Sequence, residues 1–266
     1  MRFHLIASLA ALSLVSCSTL PVPGPAAEGP SQDEARDILV HSAKCHGDPW
    51  KSYRQIEIGY DGTWETLATK VQPFITDPGF RKSSVESYQP RARQVRQLHR
   101  GLRGTKEVNR AGRDVAVKFN GVPSTNQEVL GAAALVADAY TVFSFGSSWL
   151  ADNGLDLRVL PDRKLSGVRC RLVAGRLAPG LGNADEDHFI AWIAADSGLL
   201  RRFQFSLNGM NSTRGADVDV VFLEHWKAPD GSVWPGRFVE TIQRPIYLKA
   251  HDWRMISLAL DGRKVR

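Results

Sequence analysis

The sequence predicts a mainly β, α+β domain: a curled antiparallel sheet, or half-open β-barrel, of about eleven strands around one buried helix, with a short N-terminal helix. Three observations predict it. The stretch from Ser124 to Trp149 is apolar through Val129–Ala137, and a helix apolar on nearly every face must be covered on nearly every face. Both flanks carry segments in which apolar and polar residues alternate with period two. Turns as short as Gln89-Pro90, Arg100-Gly101 and Ala111-Gly112 join the first of these segments, so neighbouring strands run antiparallel. A sheet this long has to curl or close. A helix lying in its concave side covers both.

The N-terminus is a leader. Met1-Arg2-Phe3-His4 is a short basic start, and Leu5–Val15 is an apolar run too short to span a bilayer. Leu14-Val15-Ser16-Cys17 resembles the bacterial lipobox, which implies cleavage after residue 16 and acylation of Cys17. Ser18 after the cysteine favours the outer membrane, with the protein facing the periplasm. Residues 17–31 are rich in Pro, Gly and Ala and form a flexible tether. Residues 32–266 form a single domain. Loss of Arg2 with the leader takes one from 34 basic residues, against 28 acidic ones. Outside the cytoplasm this positive balance does not meet nucleic acid; it points to anionic lipid headgroups or to no specific partner.

Within the domain, Ser31 to about Lys44 opens with Asp33 and Glu34 and spaces Ala35, Ile38 and Leu39 as a short amphipathic helix. Strands follow at Tyr53–Tyr60, Phe80–Tyr88, Arg91–His99, Leu102–Arg110 and Arg113–Asn120. The central helix is expected over about 125–143. Ser124 with Gln127 and Thr125 with Glu128 form overlapping capping boxes at its start. Asp138 ends the apolar run below the roughly 18 residues that a span needs, so the wrapper must be protein. Strands resume at Leu155–Leu160, Gly167–Val173, His188–Ala194, Leu199–Leu207, Val218–Trp226, Val233–Ile242 and Trp253–Leu260.

Phe189-Ile-Ala-Trp-Ile193, Asp196, Gly198-Leu199 and Arg201, with Pro229-Asp230-Gly231 between Trp226 and Trp234, resemble the lipoprotein-carrier superfamily that includes LolA, LolB and the RseB sensor domain. The resemblance covers roughly residues 35–262. It implies a half-open barrel with a helix across its mouth and a cavity that takes acyl chains.

The chain has no HExxH, GxSxG, P-loop or GxGxxG motif, and no His or Cys spacing that suits a metal. No cofactor, metal or catalytic residue is therefore expected, and the chain is expected to be a monomer. Asp185, Glu186 and Asp187 are the densest acidic group and read as a solvated hairpin tip. Arg91, Arg93, Arg96, Arg100, Arg103, Lys106, Arg110 and Arg113 read as a basic convex face able to meet anionic headgroups. Cys45 and Cys170 are candidates for a disulfide. Candidate cavity residues are Leu130, Leu135, Tyr140 and Phe143 on the helix and Phe119, Trp192, Phe203 and Phe205 on strands. The expected function is binding of a lipid, or of lipoprotein acyl chains, between helix and sheet. The same scaffold also suits a sensory or protein-interaction module with a closed core, or an enzyme.

Overall fold

The computed structural model describes Ser18, Leu20 and residues 30–266. The expected signal peptide, Cys17 as its expected lipidation site and most of the expected tether lie outside the described residues. Helix α1 spans Pro30–Cys45, followed by the single turn α2, Pro49–Ser52. Strand β1 (Ile56–Trp64) leads into two short helices, α3 (Thr66–Val71) and α4 (Pro73–Thr76). A meander follows: β2 (Ser83–Gln89), β3 (Gln94–Gly101), β4 (Gly104–Ala111), β5 (Asp114–Phe119) and β6 (Val122–Pro123). Helix α5 (Gln127–Asn153) crosses to a second meander. Its strands are β7 (Leu155–Leu165), β8 (Val168–Leu177), β9 (Asp187–Ala194), β10 (Leu200–Leu207), β11 (Ala216–Lys227), β12 (Val233–Arg244), β13 (Leu248–Leu260) and β14 (Arg263–Lys264).

Among the described residues all fourteen strands join one antiparallel sheet, in the order β6-β5-β4-β3-β2-β1-β13-β12-β11-β10-β9-β8-β7, with β14 on β13. The seam is β1 against β13, where Ile56 pairs with Leu260. The two meanders are thereby zipped by the ends of the domain. Helix α5 touches β3, β4 and β5 on one side and β10 and β12 on the other, so the sheet curls around it. Edge strands β6 and β7 do not pair, and the barrel stays open. Helix α1 packs on α5, β7 and β8 beside that opening.

Helix α5 is longer than its sequence suggests. Asn126, not Ser124 or Thr125, caps it: its Oδ1 accepts from the Glu128 and Val129 amides at 2.9 and 3.3 Å. The helix then runs through Asp138, whose charge is carried by Arg110 at 2.7 Å. By length and composition it could cross a membrane, but 89% of its most apolar window is buried by the rest of the chain. At Gly146 the backbone leaves helical geometry, with φ of 44°. A Cβ there would sit 2.7 Å from Leu200 Cδ2, so the kink needs glycine for both conformation and space.

Two expectations are corrected here. The described residues hold fourteen strands, more than the about eleven expected: β6 and β14 are two residues each, too short to show a period, and add to the twelve segments placed from the sequence. Cys45 and Cys170 are free thiols. Cys170 packs with Leu172, Ala174, Ile190 and Trp192 on the outer face, while the neighbouring Arg171 reaches Glu34 of α1 at 2.6 Å. Cys170 therefore points away from the helix whose end carries Cys45.

Candidate ligand-binding site

A cavity of about 50 Å³ lies between α5 and the concave face of the sheet. Leu135, Val136, Ala139 and Tyr140 of α5 form one wall; Phe205, Leu207, Ile242 and Ala250 form the other. Ala68, Gln72, Ile75 and Thr76 close it from α3 and α4. These two helices pack on β13 and α5 respectively and form a roof. The roof is thin: Ala68 and Thr76 face in, while Leu67 and Val71 stand in solvent. One side-chain latch ties it to the loop before β11, where Gln72 Nε2 donates to the Ser212 carbonyl at 3.1 Å. A second hollow of about 230 Å³ lies toward the open edge, walled by Trp50 and Trp149 and ringed by Arg93, Arg110, Arg113 and Asp138.

Beside the apolar cavity, the inner faces of β2–β4 are polar yet buried. Ser84, Glu86, Gln97, His99 and Lys106 all face inward. Lys106 is paired with Asp77; burial pushes the acid up and the amine down, while each charge holds the other ionised. Burial also pushes Glu86 up, opposed by Arg81 and by the Tyr88 and Ser84 hydroxyls, which donate to it at 2.5 and 2.7 Å. Arg81 lines the cavity at 3% exposure. Its guanidinium carbon lies 4.5 Å from the Tyr140 ring centre, 5.2 Å from Trp64 and 5.5 Å from Trp253. On the far side His251 is held by Glu240 at 2.5 Å. Burial lowers the His99 pKa well below its usual value, and the charges of Arg81 and Lys106 lower it further.

Of the candidate cavity residues, Leu135, Tyr140 and Phe205 line this cavity together. Phe143 and Phe203 are instead packed in the aromatic core, 6.0 and 5.2 Å from Phe205. Leu130 and Phe119 belong to a satellite cluster with Val108, Val117 and Val129. Trp192 is on the outer face: its indole N–H donates to Gln204 at 2.8 Å and Arg202 lies over its ring. Strand β9 is buried on both faces, so alternation does not tell which side is concave.

The basic run also divides. Arg91, Arg93, Arg96, Arg100, Arg103 and Arg113 are exposed, but Lys106 and Arg110 face inward to their acids. Asp187 is not a solvated tip. It is buried and accepts from the Leu181 and Asn208 amides at 2.8 and 3.0 Å and from Ser206 at 3.2 Å. Among the described residues no group of three or more His, Cys, Asp or Glu is placed to hold a metal ion. Sequence reasoning passed over Trp64, Ile75 and Arg81. The one signal for the roof was Leu67, Val71, Phe74 and Ile75 at helical spacing.

No protein-family model matches the sequence, and no curated protein matches it either. Solved structures do. A DUF1329 family protein from Desulfovibrio piger superposes with a TM-score of 0.51 over 88% of this chain and 94% of its own, at 10% identity. A LolA superfamily protein from Nitrosomonas europaea gives 0.50 over 87% and 94%, at 12% identity. The fold is LolA-like: one curled, unclosed antiparallel sheet around a central helix.

Proposed function

We propose that this protein is a lipid-anchored protein of the cell envelope that takes up a hydrophobic ligand, a lipid or the acyl chains of a lipoprotein, beneath α3 and α4 and without covalent chemistry. The observation that carries this reading is the apolar-lined cavity between α5 and the sheet. At about 50 Å³ the cavity is too small to hold an alkyl chain as it stands. An engineered apolar cavity that takes benzene is about 150 Å³. Entry of an alkyl chain therefore requires the thin α3–α4 roof to swing out, as lids do. Cys17 supports an anchor, and Ser18 supports placement at the outer membrane, facing the periplasm. The six exposed arginines between Arg91 and Arg113 support contact with anionic headgroups.

The full chain purified from membranes is expected to yield co-purifying lipid on solvent extraction and to take up a fluorescent fatty acid. Neither result would leave a sheet closed on its own core. The small volume favours that second reading, a sensory or protein-interaction module, over any other alternative.

A further inference from the structure

We infer that Arg81 is the headgroup anchor of the cleft and that the ligand is an amphiphile with a carboxylate head; this rests on the cleft reading above. Among the described residues three arginines clasp a carboxylate through the same edge of the guanidinium, Nε with Nη2. Arg202 holds Asp219 at 2.5 and 2.6 Å, Arg110 holds Asp138 at 3.1 and 2.7 Å, and Arg237 holds Asp252 at 2.9 and 2.8 Å. Arg81 is more deeply placed than Arg202 or Arg237, and its Nε and Nη2 have no hydrogen-bond partner. The one hydrogen bond of its guanidinium among the described residues is from Nη1 to the Ile75 carbonyl, at 3.4 Å.

The acids nearby are already engaged. Asp77 is taken by Lys106, Glu240 by His251, and Glu86 by the Ser84 and Tyr88 hydroxyls. Both ring nitrogens of His99, at 1% exposure, are also without a partner, but His99 does not line the cavity, which leaves Arg81 as the donor that does. The rings of Trp64, Tyr140 and Trp253 surround the guanidinium, which leaves its edge for a ligand. An edge with two parallel N–H donors matches a planar carboxylate better than any neutral head. The apolar wall of Leu135, Val136, Ala139 and Phe205 then takes the chain.

Competition binding of dodecanoate, dodecanol and dodecyl phosphate to the whole protein tests this. Dodecanoate is expected to bind roughly tenfold or more tighter than dodecanol, the scale of one charge-assisted hydrogen bond. Arg81→Met is expected to remove that preference while still binding dodecanol, and Arg81→Lys, which keeps the charge without the fork, to retain part of it. Equal binding of dodecanoate and dodecanol by the unaltered protein, whether or not the variants fold, would mean that Arg81 serves only as a counter-charge to Glu86, and the inference fails while the cleft stands. Tighter binding of dodecyl phosphate than of dodecanoate overturns the carboxylate assignment. Binding of none of the three overturns the cleft reading itself.

Discussion

Helix α5 faces two walls built from the same kind of alternating strand, and their contents are opposite. On the C-terminal side, Phe203, Phe205, Val218, Val220, Phe222 and Phe238 point inward, and Phe143 of the helix packs 5.6 Å from Phe238. His46 on this side is satisfied: its Nδ1–H donates to the Val233 carbonyl at 2.9 Å, and its Nε2 accepts the Leu200 amide at 3.0 Å, while His251 Nδ1 and Trp253 Nε1 of β13 are left without partners. On the N-terminal side, β2–β4 send Ser84, Glu86, Gln97, His99 and Lys106 inward, with donors left over at His99 and at the neighbouring Arg81. One wall stabilises the fold by burying aromatic area, at about 25 cal/mol per Å². The other costs stability, since each unsatisfied buried polar group is worth about 1–3 kcal/mol against folding. The cavity lies where the two walls meet: Phe205, Leu207 and Ile242 of the aromatic side line it, and Arg81 closes it from the polar side.

The largest effect should come from the aromatic wall. Phe238→Ala is expected to lose about 3–5 kcal/mol in denaturant unfolding, because Tyr60, Tyr140, Phe143 and Phe222 all pack on that ring. A loss below about 1 kcal/mol would mean that this wall is not the main core. Next in size, Lys106→Met strands the Asp77 carboxylate and should cost about 3 kcal/mol, with Asp77→Asn, which keeps the left-handed backbone there, restoring most of it in the same chain. If the double variant is no better than the single, the pair does not act as a unit.

Third in size is the effect of the buried acid on the aromatic side. Burial pushes Asp187 up to about 6, against its amide and Ser206 hydrogen bonds. A carboxyl whose folded pKa is raised binds its proton more tightly when folded, so its contribution to stability is full below about pH 4 and is lost as pH rises through about 6. Unfolding midpoints of the protein and of Asp187→Asn, taken between pH 4 and 7, should therefore differ by an amount that changes with pH across that window. A constant difference would break the assignment. The smallest effect is expected at the polar wall. His99→Leu removes two orphaned nitrogens and should raise stability by about 1 kcal/mol, the low end of that range because leucine must repack in the imidazole's place. Marked destabilisation would show that His99 is held by bonds inside the fold and is not a free donor in that wall.

Much of this was legible in the chain. Ile56, Ile58 and Tyr60 alternate as β1 does, and Phe203, Phe205 and Leu207 alternate as β10 does. Val129–Ala137 marked the helix that both must cover. Leu135, Tyr140 and Phe205 were legible as cavity residues because each sits at an apolar position of a clearly periodic element. Trp192 was not, because β9 is apolar on both faces and the period-two signal vanishes there. Lys106 and Arg110 were not, because a strand that buries polar residues reads as a solvated one.

Local chemistry settled the elements: alternation, short turns and one apolar helix suffice to specify a curled antiparallel sheet around α5, since no other arrangement covers all three. Which face of each strand is concave was decided only by the β1–β13 seam, which joins residues 56–64 to residues 251–260. That pairing curls the sheet and brings the acidic pair partner Asp77, the fork of Arg81 and the rings of Trp64, Tyr140 and Trp253 to one place. Burial changes what a charged side chain means, and burial is a property of the closed surface, not of any segment within it.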